Sequence, residues 1–495
     1  MSDENNLIKE RKEKLNKIRE LDIDPYPYNF EKKDNSNDII DKHSKLKPEE
    51  KSKSKVKISG RVMQMRKMGK AAFIHIQDED GKIQAYIRKD DLDEKDFSLF
   101  KLLDIGDIIG IEGTVFKTKT GEVTVYVKKL DILSKSVRPF PEKYHGLKDE
   151  EIRFRKRYLD LIMNPETKKI FKKKSQIISA IREFLDKKNF LEVQTPILQT
   201  QYGGANARPF TTHINAWNMP MYLKIAPELY LKRLLIGGFE KIYDLSYNFR
   251  NEGVDKTHNP EFLMVEYYWA YADREKIMVL TEELWEYVAK KVNGSTKIEI
   301  DGKKIDLKGP WKRLTMKEAL KEHAKIDIDN LDDNEIKDIM RGYNVEYEGD
   351  FTRNLSLQLL FEELVEDKLI QPIHILDHPI ETTPLCKKTK YDETFVERTE
   401  FYVNGWECGN GYSELNDPLV QKELLEEQAK KGRGGDEEAH PMDEDFIEAL
   451  EYGMPPAGGL GFGVDRMCIL LTGTSSIREV ILFPTMKPKE VNKNE

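Results

Sequence analysis

Residues 241–272 hold the pattern that most narrows what this chain can become. "KIYDLSYNFR" and "EFLMVEYYWAYA" read as two strands, joined by the polar loop "NEGVDKTHNP". Side chains alternate faces along a strand, so Phe262, Met264, Glu266 and Tyr268 share one row. Arg250 ends the first run, and Glu252, His258 and Asn259 follow in the loop. An aromatic ring, a carboxylate and a phenol together are costly as core. A purely solvated face would not also carry Phe262 and Met264. The row reads as the floor of a ligand site.

A second hairpin adds carboxylates. In "TEFYVNGWECGNGYSELND" the Asn404-Gly405 pair signals a two-residue turn. That turn pairs Val403 with Trp406 and Tyr402 with Glu407, leaving Glu400 diagonal to Glu407 on one face. Diagonal neighbours lie about 7–8 Å apart, within reach of one hard cation such as Mg2+. Two exposed glutamates on a sheet would give the same pattern. Strict alternation puts Glu414 on the face opposite Glu407, so bringing both to one site requires a bulge, expected at Gly409-Asn410-Gly411. The third feature is "PPAGGLGFGVDRMCILLTG", whose glycines allow close backbone approach to a ligand. Asp465 is expected as the N-cap of a helix ending near Gly473, with Arg466 in its first turn. Tight strand-to-helix packing would explain these glycines equally well.

The rest of the chain frames these hairpins. Residues 7–21 read as a charged amphipathic helix, and "KLKPEEKSKSKVK" as a solvated linker. From residue 56 to about 135, five short strands are punctuated by glycine turns, with the helical piece "DFSLFKLLDI" between the third and fourth. That order suggests an oligonucleotide-binding (OB) barrel; a generic small β-domain would also fit. In "AAFIHIQDEDGKIQAYI" alternation turns Ile74 and Ile76 inward and Phe73 and His75 outward. Residues 150–495 read as mixed α and β without doubly wound alternation, and the GxxxxGK[ST] phosphate loop is absent.

Composition excludes several classes. The net charge of −8 argues against binding nucleic acid by bulk basicity, though not against local basic patches. Three isolated cysteines offer neither a disulfide framework nor a cysteine zinc site and suit a reducing compartment. No apolar stretch near 18 residues occurs, so the expectation is a cytoplasmic protein with no membrane association. His374 and His378 in "HILDHP" lack a third ligand and read as structural. "KKIFKKK" reads as a solvated helix face, with a nucleic-acid contact as the alternative, and "GRGGDEEAHPMDEDF" as a loop without chemistry.

The three constellations together resemble the signature motifs of class II aminoacyl-tRNA synthetases. "FRNE" with "HNPEF" is similar to the second motif, "GLGFGVDR" to the third and "AIREFLDKKNFLEVQTPIL" to the first. "GGANARPF", "APELYLKR", "RYLDLI" and "ELNDP" resemble the lysyl-tRNA synthetases in particular. The resemblance implies an α+β architecture: an N-terminal helix and linker over 1–55, an anticodon-binding OB-fold of five strands over 56–140, and a catalytic antiparallel sheet flanked by helices over 141–495. It also implies a lysine–tRNA ligase that forms AMP and pyrophosphate, acting through lysyl-adenylate on tRNA(Lys).

Specific residues inherit roles from that resemblance. Arg250 would hold the ATP α-phosphate and the lysine carboxylate, and Phe262 and Arg466 would sandwich adenine. Glu252, His258 and Asn259 complete the implied ATP site, while Glu400 and Glu407 would bind Mg2+. About three Mg2+ ions per active site are implied, with ATP as substrate. Gly204 and Glu228 would receive the lysine α-amino group, and Glu266, Tyr268 and Glu414 the ε-ammonium, beside Asn410 and Tyr412. Arg66, Phe73, Gln84 and Glu122 would read the anticodon. A homodimer is implied through residues 170–200, where Ile170, Ile177, Ile178, Ile181 and Leu185 form a stripe that could equally pack within its own subunit.

Three rivals are weighed against this reading. Aspartyl- and asparaginyl-tRNA synthetases should present a cation where this chain has Glu266, Glu414 and Tyr268. A ligase that lysylates elongation factor P lacks the N-terminal barrel. A catalytically dead RNA-binding protein would not need the full motif set.

Overall fold

The computed structural model describes residues 2–141, 147–346, 351–433 and 442–488. The chain forms two compact units, residues 1–145 and 146–495.

The first unit is built on a closed barrel. Its strands are β1 (Lys51–Met68), β2 (Ala71–Gln77), β3 (Lys82–Arg88), β4 (Ile108–Lys117) and β5 (Val123–Ser134), closing in the order β1-β2-β3-β5-β4. Alternation works as read: Ile74, Ile76, Ile83, Ile87, Ile109, Ile111 and Val125 fill the interior. Helix α1 (Ser2–Glu20) and helix α2 (Ser36–His43) add Ile18 and Ile39 to that core. Between β3 and β4 lies helix α3 (Glu94–Leu102), capped by Asp93. Lys135, fully buried, lies 2.5 Å from Asp104 and 2.9 Å from Asp107, and Asp104 also takes Lys14 of α1 at 2.7 Å. The segment read as solvated linker differs: β1 starts at Lys51, and α2 is fixed by Ser36 donating its backbone N–H and hydroxyl to Asp78. Buried apolar side chains on both sides of the charge run override its solvated composition.

The second unit is organised by an eight-stranded sheet. Helix α4 (Pro165–Lys187), edge strand β6 (Leu191–Glu192) and helix α5 (Glu228–Ile236) precede the hairpin β7 (Lys241–Phe249) and β8 (Glu261–Ala270). Helix α6 (Arg274–Asn293) follows, then β9 (Lys312–Thr315), β10 (Ile373–Pro379), the hairpin β11 (Phe395–Val403) and β12 (Trp406–Ser413), β13 (Ala457–Gly463), and helix α7 (Val464–Thr472). The order is β9-β10-β11-β12-β13-β8-β7-β6. The interior is antiparallel, as expected, but both edge pairings, β9 with β10 and β7 with β6, are parallel. One face is core: Leu263, Val265, Tyr267, Phe401, Leu460 and Phe462 pack with Ile177, Ile181, Leu185, Leu284 and Trp285 of α4 and α6. The other face is left to a cavity. Among the described residues, no helix is long and apolar enough to cross a membrane.

The structure decides one open reading and changes two expectations. The α4 stripe is largely spent inside its own subunit, because Ile177, Ile181 and Leu185 are fully buried there. In the lysine run, Lys174 is half-buried and bonds Asp465 at 2.5 Å, which makes it an anchor for α7. Asp465 is not the N-cap of α7; Gly463 holds that position, and Asp465 instead accepts the Leu263 N–H at 2.8 Å. Of the loop "GRGGDEEAHPMDEDF", residues 434–441 lie outside the described residues.

Candidate active site

The cavity on the open sheet face has a volume of about 330 Å³. Its lining includes all fifteen residues that the family resemblance assigned to ATP, lysine and metal: Gly204, Glu228, Arg250, Glu252, His258, Asn259, Phe262, Glu266, Tyr268, Glu400, Glu407, Asn410, Tyr412, Glu414 and Arg466.

Local sequence explains the convergence. On β8 the alternation holds, so Phe262, Met264, Glu266 and Tyr268 face the cavity while Leu263 and Val265 face the core. The Asn404-Gly405 turn has both residues at positive φ, 61° and 77°, as a type I′ hairpin demands. Val403 pairs with Trp406 and Tyr402 with Glu407, but Phe401 then pairs with Gly409. The extra residue is Cys408, whose side chain joins the core. The bulge thus precedes the expected Gly409-Gly411 stretch, and it turns Asn410, Tyr412 and Glu414 onto the same face as Glu400 and Glu407. Strand β13 supplies the space between. A Cβ at Gly459 would lie 2.5 Å from Glu414 Oε1, and one at Gly461 2.5 Å from Met264 Cε. Gly204 has φ +87°, and a Cβ there would lie 2.9 Å from Glu228 Cβ.

Polar groups in the cavity are under-satisfied. Arg250 Nε, Asn259 Oδ1, Arg398 Nε, Asn410 Oδ1 and both carboxylate oxygens of Glu414 are buried without hydrogen-bond partners. Buried polar atoms are nearly always paired in a folded protein, so this gathering of orphans in one cavity points to a polar ligand. Arg250 lies over the Phe262 ring at 5.3 Å. Arg466 donates to the Glu407 carbonyl and meets His258 Nε2 at 3.1 Å, and His258 in turn pairs with Asp255 at 2.8 Å. Glu400 accepts from Arg398 and, at 2.7 Å, from the Tyr402 hydroxyl. Glu366, which accepts from Tyr402 at 3.1 Å, is raised to about 7, chiefly by burial.

Residues 149–487 match the family described as "tRNA synthetases class II (D, K and N)", and residues 56–133 match "OB-fold nucleic acid binding domain". The "Lysine--tRNA ligase" of Thermoanaerobacter sp. (strain X514) is 52% identical over 487 residues, spanning 98% of this chain and 97% of its own. That of Pelotomaculum thermopropionicum is 51% identical over 491 residues, 99% of this chain and 96% of its own. The chain belongs to the class II lysyl-tRNA synthetase family.

Within this member of the family, the acidic end of the cavity is deeply buried. Burial raises Glu266 well above the usual carboxyl range, with Glu228 adding repulsion. Burial raises Glu228, against the pull of Lys232. Glu414 is pushed up to about 8 by burial, again against Lys232. Lys232 itself stays charged, because two carboxylates more than offset its own burial. Sequence reading missed Lys232 and Arg398. The first sits four residues after Glu228 on α5, where helical neighbours meet. The second sits two residues before Glu400 on β11, on the same face.

The histidines of "HILDHP" are buried on β10, and burial holds His378 down to about 3. Among the described residues, no cluster of three or more His, Cys, Asp or Glu side chains could hold a metal by itself. Glu400 and Glu407 remain as two hard oxygen donors facing the cavity, which suits Mg2+ completed by phosphate oxygens and water.

In the barrel, Arg66 pairs with Phe73 across β1 and β2, and His75 with Gln84 across β2 and β3. Glu122 accepts from Gln84 Nε2 at 2.6 Å and contacts His75 Nε2 at 2.9 Å, while Gln84 Oε1 accepts from Thr124 at 2.8 Å. Phe73 is on the outer face but half-buried, tilted against Tyr86 at 4.8 Å. Tyr86 in turn meets Tyr126 and Phe116, so Phe73 ends an aromatic row.

Proposed function

We infer that this protein is a lysine–tRNA ligase, and that the observation carrying this reading is the convergence of three buried carboxylates, Glu228, Glu266 and Glu414, with unpaired Arg250 Nε in one cavity. The carboxylates suit the two ammonium groups of lysine, and the guanidinium suits its carboxylate and a phosphate. Glu228 and Gly204 take the α-amino group, and Glu266, Tyr268 and Glu414 the ε-ammonium, with Asn410 and Tyr412 alongside. Phe262 and Arg466 hold adenine between them, and Glu252, His258 and Asn259 bind the rest of the nucleotide.

Catalysis is positioning and charge stabilisation. A lysine carboxylate oxygen attacks the α-phosphorus in line; the new O–P bond replaces the bond to pyrophosphate, which departs with its electron pair. Arg250 neutralises charge as the two anions are drawn together. Glu400 and Glu407 would hold Mg2+, which would supply neutralisation of phosphate charge. The 3′-hydroxyl of tRNA then attacks the lysyl carbonyl, AMP leaves, and the hydroxyl proton passes to solvent or AMP. Arg66, Phe73, Gln84 and Glu122 of the barrel recognise the anticodon. The reaction belongs to the cytoplasm, in keeping with three buried free cysteines.

Charging of tRNA(Lys) with radiolabelled lysine tests this directly. Lysyl-tRNA and AMP are expected with intact tRNA, and none with tRNA ending in 3′-deoxyadenosine. Equal charging of the 3′-deoxy tRNA contradicts the assignment of the acceptor.

A further inference from the structure

Lys232 is a fully buried ammonium that the reaction as described does not use. It stands one helical turn after Glu228 on α5, with Nζ 2.6 Å from Glu228 Oε1 and 3.3 Å from the Leu385 carbonyl. On its third side, Glu414 Oε2 lies 2.6 Å away. An ammonium has three protons to donate, and three oxygens surround this one. The contacts bridge α5 to the chain just beyond β12, so one side chain fixes two carboxylates drawn from separate elements. Glu414 Oε2 meets Lys232 as an ion pair without a hydrogen bond, and Glu414 Oε1 is left without any partner beside Gly459 of the cavity wall.

Charge counting shows what this cation does. Glu228, Glu266 and Glu414 are all buried, and two buried carboxylates left side by side would share a proton. Other groups around them do little to separate Glu228 from Glu414. Tyr268 and Tyr412 are phenols held neutral by burial, and Cys386 is a buried thiol pushed up likewise. Arg398 attracts Glu228 only weakly and is committed to Glu400 and, at 3.1 Å, to Thr382. Lys387 acts on Glu414 only as the last of its influences.

We propose that Lys232 is a specificity-determining positioning residue, a built-in counter-ion that holds Glu228 and Glu414 apart and ionisable so that each can receive one amino group of a diamino acid. It makes no contact with substrate; it acts through the two carboxylates. The proposal rests on the assignment of Glu228 and Glu414 to the lysine pocket.

The test is lysine-dependent ATP–pyrophosphate exchange by the full-length protein from pH 6 to 9, for wild type, Lys232→Met, Lys232→Arg and Glu414→Gln. Loss of the cation makes the remaining carboxylates hold their protons more tightly. Lys232→Met should therefore move the low-pH limb of the lysine KM profile upward by at least one pH unit, a rise of about tenfold or more at pH 7. The KM for ATP should stay within about twofold, a factor small beside that shift. Lys232→Arg should restore the position of the limb even if its bulk raises KM at every pH. A Lys232→Met profile that overlies wild type, or an ATP KM rising in step with that for lysine, overturns the proposal. If Lys232→Met does not fold, Lys232→Arg decides alone, and a shifted limb in that variant overturns the proposal too. Glu414→Gln separates the two levels. An unchanged lysine KM there removes the pocket assignment itself, whereas a raised one beside a wild-type-like Lys232→Met removes only the counter-ion.

Discussion

In the proposed function, recognition at the level of single residues rests on Glu414 and Arg250. Glu414 binds an ammonium only as the carboxylate, and burial holds its proton until about pH 8. The sign follows: below that pH the pocket must release a proton to take lysine, so affinity rises as pH climbs from 6 towards 8. Each unit is worth up to about tenfold in lysine Kd, readable by calorimetry in buffers of different ionisation enthalpy. A Kd constant over that range, with no proton released, contradicts the assignment. Replacing Glu414 with Gln should cost lysine binding at pH 8 roughly 3–5 kcal/mol while ATP binding is kept. Arg250→Lys should retain the fold, by circular dichroism, and lose most pyrophosphate exchange. An ammonium cannot copy the planar fork that grips two oxygens together. Near-normal exchange in that variant would take Arg250 off the α-phosphate.

Elements, rather than residues, decide which of these groups meet. The β8 row was legible because Phe262, Met264, Glu266 and Tyr268 follow plain alternation along an unbroken strand. The Asn404-Gly405 turn was legible because only particular residues accept its two positive φ angles. The bulge at Cys408 was legible as a necessity but not as a position, since alternation demands one extra residue without saying where it sits. Lys232 and Arg398 escaped because a lone basic residue on a helix or strand carries no mark of burial until the partners across the fold are known. The α4 stripe stayed open between two readings for the opposite reason: an apolar helical face says only that it will be covered, not by what. Strand β13 makes a prediction at this scale. Gly459→Ala places a methyl against Glu414 and Tyr268. That overpacking, about 1–3 kcal/mol, should raise lysine KM roughly 5- to 150-fold and leave ATP KM near wild type. An ATP KM that rises equally would mean the whole sheet has shifted. In the barrel, Phe73→Ala should weaken tRNA charging roughly 5- to 150-fold through lost base stacking, while exchange without tRNA persists. The contact with Tyr86 gives Phe73 a packing role as well, so parallel loss of both activities would mark it as structural.

At the scale of the whole molecule, adenylate formation and anticodon reading belong to separate units, and the second unit leaves apolar surface uncovered. Leu191, on the parallel edge strand of the large sheet, is 50% exposed, and Ile197 and Leu198, a few residues on and leading into a separate small sheet, are 46% and 48% exposed. Since the α4 stripe is already buried within the subunit, this edge is where a homodimer through residues 170–200 would close. Sedimentation at micromolar concentration should give a dimer, and Leu198→Asp should shift it towards monomer; a monomeric wild type contradicts that assembly. The amino acid that the cavity accepts, however, decides the function. Its most direct test is ATP–pyrophosphate exchange with each of the twenty amino acids in turn, without tRNA. Exchange with lysine alone is the predicted result, and exchange driven by aspartate or asparagine in place of lysine would contradict it.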